Sequence, residues 1–186
     1  SKQLGELRFV LSGATATLAS GGADGFLRNL DDGADMGAIG RSIVDYDTFP
    51  LGDSGGELLA SGCGYPEIAN APGGPYAPHI SEGIDVEANN EFACLSTNEG
   101  GGTDVLGEGT AIIHGVGLLP GDVALMAETG TSLIWSPRSN VSLYGDTAAV
   151  PMFVRVGVNV ALGTDWLPSG SMNMQRELQC VIRLNE

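Results

Sequence analysis

Few residues of this chain suit chemistry: its only two histidines, His79 and His114, and the carboxylates Glu82 and Asp165. An imidazole binds a divalent metal or moves a proton near neutral pH, and a carboxylate close to such a metal accepts the proton released by water. Each histidine stands at the C-terminal end of an apolar, strand-like run with a glycine close behind, Gly83 and Gly115, and Asp165 ends a third such run. Glu82, three residues after His79, adds a carboxylate at the same rim. In parallel α/β barrels the active site is built from residues that end several different strands. His79, His114 and Asp165 are therefore expected to converge, with side chains within about 7–8 Å, a spacing that one metal with ~2.1 Å bonds can bridge. Singly, each has an ordinary reading: a hydrogen-bonded structural histidine, or a solvated loop acid. Their common placement is what points to a site.

The elements that must position these residues follow from the apolar pattern. Residues 14–18, 43–49, 76–81, 110–116, 131–135 and 158–164 read as strands, most of them apolar on both faces as buried parallel strands are. Residues 24–30, 85–95, 122–129 and 146–156 read as helices, the last two closing at Gly130 and Gly157. The βαβα order predicts a mainly parallel sheet wrapped by helices. The long segments 52–74 and 97–109, rich in Gly, Pro, Asn and Ser, read as loops lying over the site.

Composition narrows the class of partner. With 8 Lys and Arg against 23 Asp and Glu the net charge is −15, so a polyphosphate partner is excluded and a small-molecule substrate is expected. A hydrophobic share of 42% against 17% charged residues supports one folded domain rather than a disordered chain. The longest apolar runs have strand length, so no membrane span is expected, and the opening residues do not read as a signal peptide. Cys63, Cys94 and Cys180, odd in number and widely spaced, read as buried thiols of a reducing, cytoplasmic compartment rather than a zinc knuckle.

Three further motifs carry less. Gly52-Asp53-Ser54-Gly55-Gly56 matches the nucleophile motif of trypsin-like proteases, but both histidines lie downstream of the serine and the pattern is not all-β, so it reads as a turn. The stretch from Gly115 to Gly121 follows a strand and precedes a helix like a dinucleotide fingerprint, yet its third glycine is one residue late and Pro120 sits in the turn. The sequon Asn140-Val141-Ser142 has no secretory signal with it.

Taken together, Ile113-His114-Gly115-Val116-Gly117-Leu118, Trp135-Ser136-Pro137-Arg138-Ser139-Asn140 and Ala161-Leu162-Gly163-Thr164-Asp165 resemble the last three strands of metal-dependent amidohydrolases. The branch is that of cytosine deaminase, S-adenosylhomocysteine deaminase and triazine chlorohydrolase. Pro78-His79-Ile80-Ser81-Glu82-Gly83 is similar to that family's fifth-strand His-x-x-Glu, and Ser12-Gly13-Ala14-Thr15 to the start of its second strand. The resemblance implies hydrolysis of C–N bonds in amides or cyclic amidines, or deamination, at a divalent metal, zinc by default and iron as the alternative. It makes His79 a ligand, His114 a ligand or substrate polariser, Asp165 a ligand and base, and Glu82 the proton shuttle. Arg138, Asn140 and Trp166, which follow strand ends, are expected to meet the substrate.

The family's first-strand His-x-His pair is missing, and its third and fourth strands read as merged in 43–49, or one of them as irregular. The resemblance therefore implies an incomplete (β/α)8 TIM-barrel-like domain over residues 1–186, running from the second strand to the helix after the eighth, with strand 14–18 as an edge covered by the chain or by a further copy in a homo-oligomer. With at most three ligands, metal affinity is expected to be poor and the site close to metal-free. The other reading kept open is a non-catalytic, oligomerising remnant of the same scaffold.

Overall fold

The apolar runs pair side by side, every one in parallel. The computed structural model describes residues 1–19, 23, 25–32, 43–68 and 73–184. In it β1 (Ala16–Thr17) pairs with β2 (Arg28–Asn29), while β3 (Asp45–Asp47), β4 (Tyr76–Ile80), β5 (Ala111–His114), β6 (Ser132–Trp135) and β7 (Val160–Leu162) form a five-stranded sheet in chain order. Val44, just ahead of β3, donates to the carbonyl of Leu30, just past β2, at 2.8 Å, so the pair leads on to the sheet. The strands thus succeed one another in sequence order, as they do around a β/α barrel, with no reversal at a switch point of the doubly wound kind. Met174 donates to Ser12 Oγ at 3.1 Å, which brings the turn before β1 against the start of the last helix.

Among the described residues six helices accompany the strands: α1 (Lys2–Leu11), α2 (Val86–Leu95), α3 (Pro120–Thr129), α4 (Pro137–Tyr144), α5 (Val150–Val156) and α6 (Met174–Leu184). The Asp85 carboxylate accepts from Ala88 N at 2.9 Å and starts α2, whose buried face carries Ala88, Phe92 and Leu95 at helical spacing. Prolines open α3 and α4, and α3, α4 and α5 each stop on a left-handed glycine, Gly130, Gly145 and Gly157. Ile80, Phe92, Leu95, Ile112, Val123, Met126, Leu133 and Phe153, each no more than 1% exposed, form the core that holds the strand ends in place.

Several expectations are corrected. The helix expected over 24–30 is instead a turn at Gly25 followed by β2; Asp24 lies outside the described residues. Tertiary contacts decide that backbone, because the buried Glu6 carboxylate of α1 accepts from Ala23 N at 2.9 Å and Leu27 N at 3.3 Å. The third and fourth strands do not merge: 43–49 holds only β3, and β2 is a strand of its own. The helix expected over 146–156 starts at Val150, where Pro151 suits a first turn, and α4 occupies the residues before Gly145. Cys63 and Cys94 are not free thiols but a disulfide, joining the loop to α2, while Cys180 is free. No helix among the described residues is long and apolar enough to cross a membrane.

Candidate metal centre

His79, next to last in β4, lies with Nδ1 3.0 Å from the Asp47 carbonyl of β3. A carbonyl only accepts, so Nδ1 carries the hydrogen and Nε2 keeps its lone pair. His114 ends β5, is 1% exposed, and meets Asn140 Oδ1 of α4 through Nδ1 at 3.1 Å. The amide is oriented in turn: Asn140 Nδ2 donates to Thr147 Oγ1 at 3.2 Å, and the same oxygen accepts from Trp135 Nε1 at 2.7 Å. Both imidazoles therefore offer Nε2. Carbonyl-anchored histidines of this kind are what metal sites use to fix tautomer and ring orientation.

The rings lie 5.0 Å apart between centroids, and His114 Nε2 is 3.3 Å from Glu82 Oε2. Glu82 Oε1 accepts from the Tyr144 hydroxyl at 3.0 Å. Ligand atoms of His79, Glu82 and His114 all lie within 4.8 Å of one another, a group able to hold a divalent metal ion. Asp165 stands outside that tight group, its Oδ2 held by the Ser139 hydroxyl, which also bonds Ser169 at 2.7 Å.

Electrostatics favour the neutral forms of both imidazoles. Burial pushes the His79 pKa down and the charge of His114 adds to it, against the Asp47 carbonyl, Glu82 and Asp165. Burial likewise lowers His114, opposed by Asp165 and Asn140. Neutral imidazoles are the forms that ligate. Burial raises Glu82, while His79 and the Tyr144 hydroxyl pull it back and Asp165 raises it further. Behind it, burial pushes the Glu91 carboxyl of α2 up to about 7.

The backbone is unusual at the same rim. Ser81 (φ 56°), His114 (φ 77°) and Asp165 (φ 54°) are left-handed without being glycine, each at or just past the end of a strand. Such conformations cost about 1–3 kcal/mol each and gather where function needs a side chain re-aimed. At Ser81 the surroundings hold it: its N–H donates to Glu91 Oε2 at 2.8 Å, and its carbonyl accepts from Val116 and Gly117 at 2.9 and 3.1 Å.

Those last two bonds also answer the dinucleotide-like reading, since the N–H groups of Val116 and Gly117 already have partners. Leu119 N, at the head of α3, donates to Asp122 Oδ2 at 2.8 Å. The stretch 52–56 is a turn, with Gly56 N bonded to the Asp53 carbonyl at 2.8 Å and Ser54 exposed. Asn140 is 1% exposed with its amide committed to His114 and Thr147, which puts the sequon out of reach of solvent. Arg138 is half-buried, its backbone N–H donating to the buried Glu177 carboxylate at 2.8 Å, and Trp166 is 62% exposed beside Asp165. No role for Asp47, Glu91 or Tyr144 follows from the sequence pattern, and none for Ser139 although it lies in the 135–140 motif. Glu91 alone left a signal there, an acid three residues past Ala88 on the apolar face of α2.

A parallel α/β sheet with two tautomer-fixed histidines and a carboxylate at its C-terminal rim is a scaffold of the metal-site type. No protein-family model matches the chain. Over 75 residues, 40% of this chain and 18% of the relative, it is 39% identical to aminodeoxyfutalosine deaminase of Deinococcus radiodurans. Over 79 residues, 42% of this chain and 18% of the relative, it is 38% identical to 5-methylthioadenosine/S-adenosylhomocysteine deaminase of Haloquadratum walsbyi. Among solved structures, an adenosine deaminase from Xanthomonas campestris with bound Zn covers 59% of this chain at a TM-score of 0.49 and 24% identity, over 26% of its own length. The chain is a partial match to proteins named as deaminases, spanning under a fifth of the length of these two curated relatives.

Proposed function

We propose that this chain carries the metal-site part of an amidohydrolase-type deaminase, which hydrolyses a C–N bond at the amino-bearing carbon of a small heterocycle. The observation that carries the reading is the pair of anchored histidines, His79 and His114, whose Nε2 atoms remain available next to Glu82. Nitrogen and carboxylate donors in this combination suit zinc, with iron as the alternative. Bound there, the ion would supply Lewis acidity and make water acidic enough to attack near neutral pH.

The residues divide the remaining work. His79 and His114 provide the nitrogen donors. Asp165, held by Ser139, completes the donor set and takes the proton from the attacking water. Glu82, steadied by Tyr144 and adjacent to His114 Nε2, hands a proton to the departing nitrogen, a role helped by a pKa that burial keeps above the usual carboxylate range. Trp166 offers an exposed aromatic face next to Asp165 for the heterocycle, and Arg138 and Asn140 support the same rim.

The test is zinc uptake and ammonia release from amino-purine nucleosides. Wild type is expected to take up at most one zinc per chain, weakly enough to be lost on dialysis, His79→Ala to abolish that uptake, and Asp165→Asn and Glu82→Gln to abolish any ammonia release it supports. Zinc binding unaffected by His79→Ala would refute the assignment, and zinc loss in Glu82→Gln would move Glu82 into the donor set.

A further inference from the structure

We infer that Glu91 is a positioning residue for Glu82, holding the strand-to-loop turn at Ser81 through the backbone so that the Glu82 carboxylate faces His114. The inference rests on Glu82 acting at the proposed site. β4 ends at Ile80, and by strand alternation alone a residue two places later would continue along the strand axis. Instead Ser81 takes a left-handed conformation, φ 56°, that a non-glycine residue adopts only when its surroundings impose it. Ser81 is fully buried, so its N–H must find a partner inside the protein.

No strand supplies that partner. The carbonyls of Ile80 and Ser81 are taken by Gly115, Val116 and Gly117 of the loop after β5, but the Ser81 N–H goes to Glu91 Oε2 at 2.8 Å. The backbone of Glu82 also stabilises the Glu91 carboxylate. One side chain thus gathers the first two residues beyond the strand. Its own placement is firm, because Ala88, Phe92 and Leu95 bury the same helix face and the Cys63–Cys94 disulfide ties down the helix end. Glu82 then reaches His114 Nε2 at 3.3 Å and the Tyr144 hydroxyl at 3.0 Å. A hydrogen-bond acceptor of the right length is what the turn requires, and a glutamine provides one as well as a glutamate does.

The experiment compares Glu91→Leu, which keeps the helix and its packing volume but has no acceptor, with Glu91→Gln, which keeps the acceptor. In the metal-free chain, the ¹⁵N shift of His114 Nε2 is expected to move in Glu91→Leu toward the value found in Glu82→Gln, and to stay at the wild-type value in Glu91→Gln. Amide exchange at Ser81 is expected to quicken at least tenfold in Glu91→Leu and to stay within about threefold of wild type in Glu91→Gln. An unmoved His114 shift in folded Glu91→Leu overturns the inference, and so does a Glu91→Gln variant that behaves like Glu91→Leu. Should Glu91→Leu fail to fold, Glu91→Gln decides alone: a wild-type shift and wild-type Ser81 exchange uphold the inference, and a displaced shift ends it. Absence of zinc binding by wild type would remove the functional reading and leave these measurements readable.

Discussion

His114 shows how much one residue can be asked to do: it ends a strand in a left-handed conformation, is almost wholly buried, and still presents Nε2 to Glu82. Its orientation depends on Asn140, so Asn140→Ala should weaken zinc binding about 10- to 100-fold by equilibrium dialysis with the fold retained. Glu91 gives a prediction with a definite sign. Its folded-state pKa is about 7 against an ordinary value of 4.5, so the folded protein holds more protons between those values and loses stability as pH rises through that window. Glu91→Gln, which has no proton to lose, should match wild type below pH 4.5 and exceed it by about 1–3 kcal/mol at pH 8 in urea denaturation. A constant difference at all pH values would contradict this. Of the residues at this centre, those with intrinsic chemistry were legible in the sequence. Asp47, Tyr144, Ser139 and Glu91 were not, because each acts through a partner from 10 to 62 positions away.

At the scale of elements, the rim is made by loops approaching closely. A Cβ added at Gly117 would lie 2.9 Å from the Gly83 carbonyl, the backbone immediately after Glu82. Gly117→Ala should therefore cost about 1–3 kcal/mol of stability and also reduce turnover, since relief of the contact moves the Glu82 loop. An alanine variant of wild-type stability and activity would show the two loops to be independent. The strands β4 to β7 and the helices α2 and α3 were readable from apolar runs, the Asp85 cap and the closing glycine Gly130. The helices α1, α4 and α6 were not, and 24–30 misled, because Glu6 and Glu177 hold neighbouring backbone from other segments and override local preference.

At the scale of the whole molecule, the Cys63–Cys94 disulfide closes a loop of sequence separation 31 and fastens the segment before β4 to α2. Thiol titration should find one reactive cysteine in the native protein and three after reduction and unfolding. Reduction should lower stability by about 3–4 kcal/mol, whereas Cys180→Ser should leave it within about 0.5 kcal/mol. By itself the sequence determined the class of fold, through the alternation of apolar runs with capped helical stretches, and named the side chains able to bind a metal or carry a proton, since both are properties of residue type and short-range spacing. Only the tertiary structure decided that the disulfide forms, which imidazole nitrogens are free, and that Glu82 rather than Asp165 stands within the tight group around the histidines. Each of these depends on which backbone carbonyl, hydroxyl or thiol a distant segment delivers, and that is settled by packing across the sheet rather than by any stretch of chain read alone.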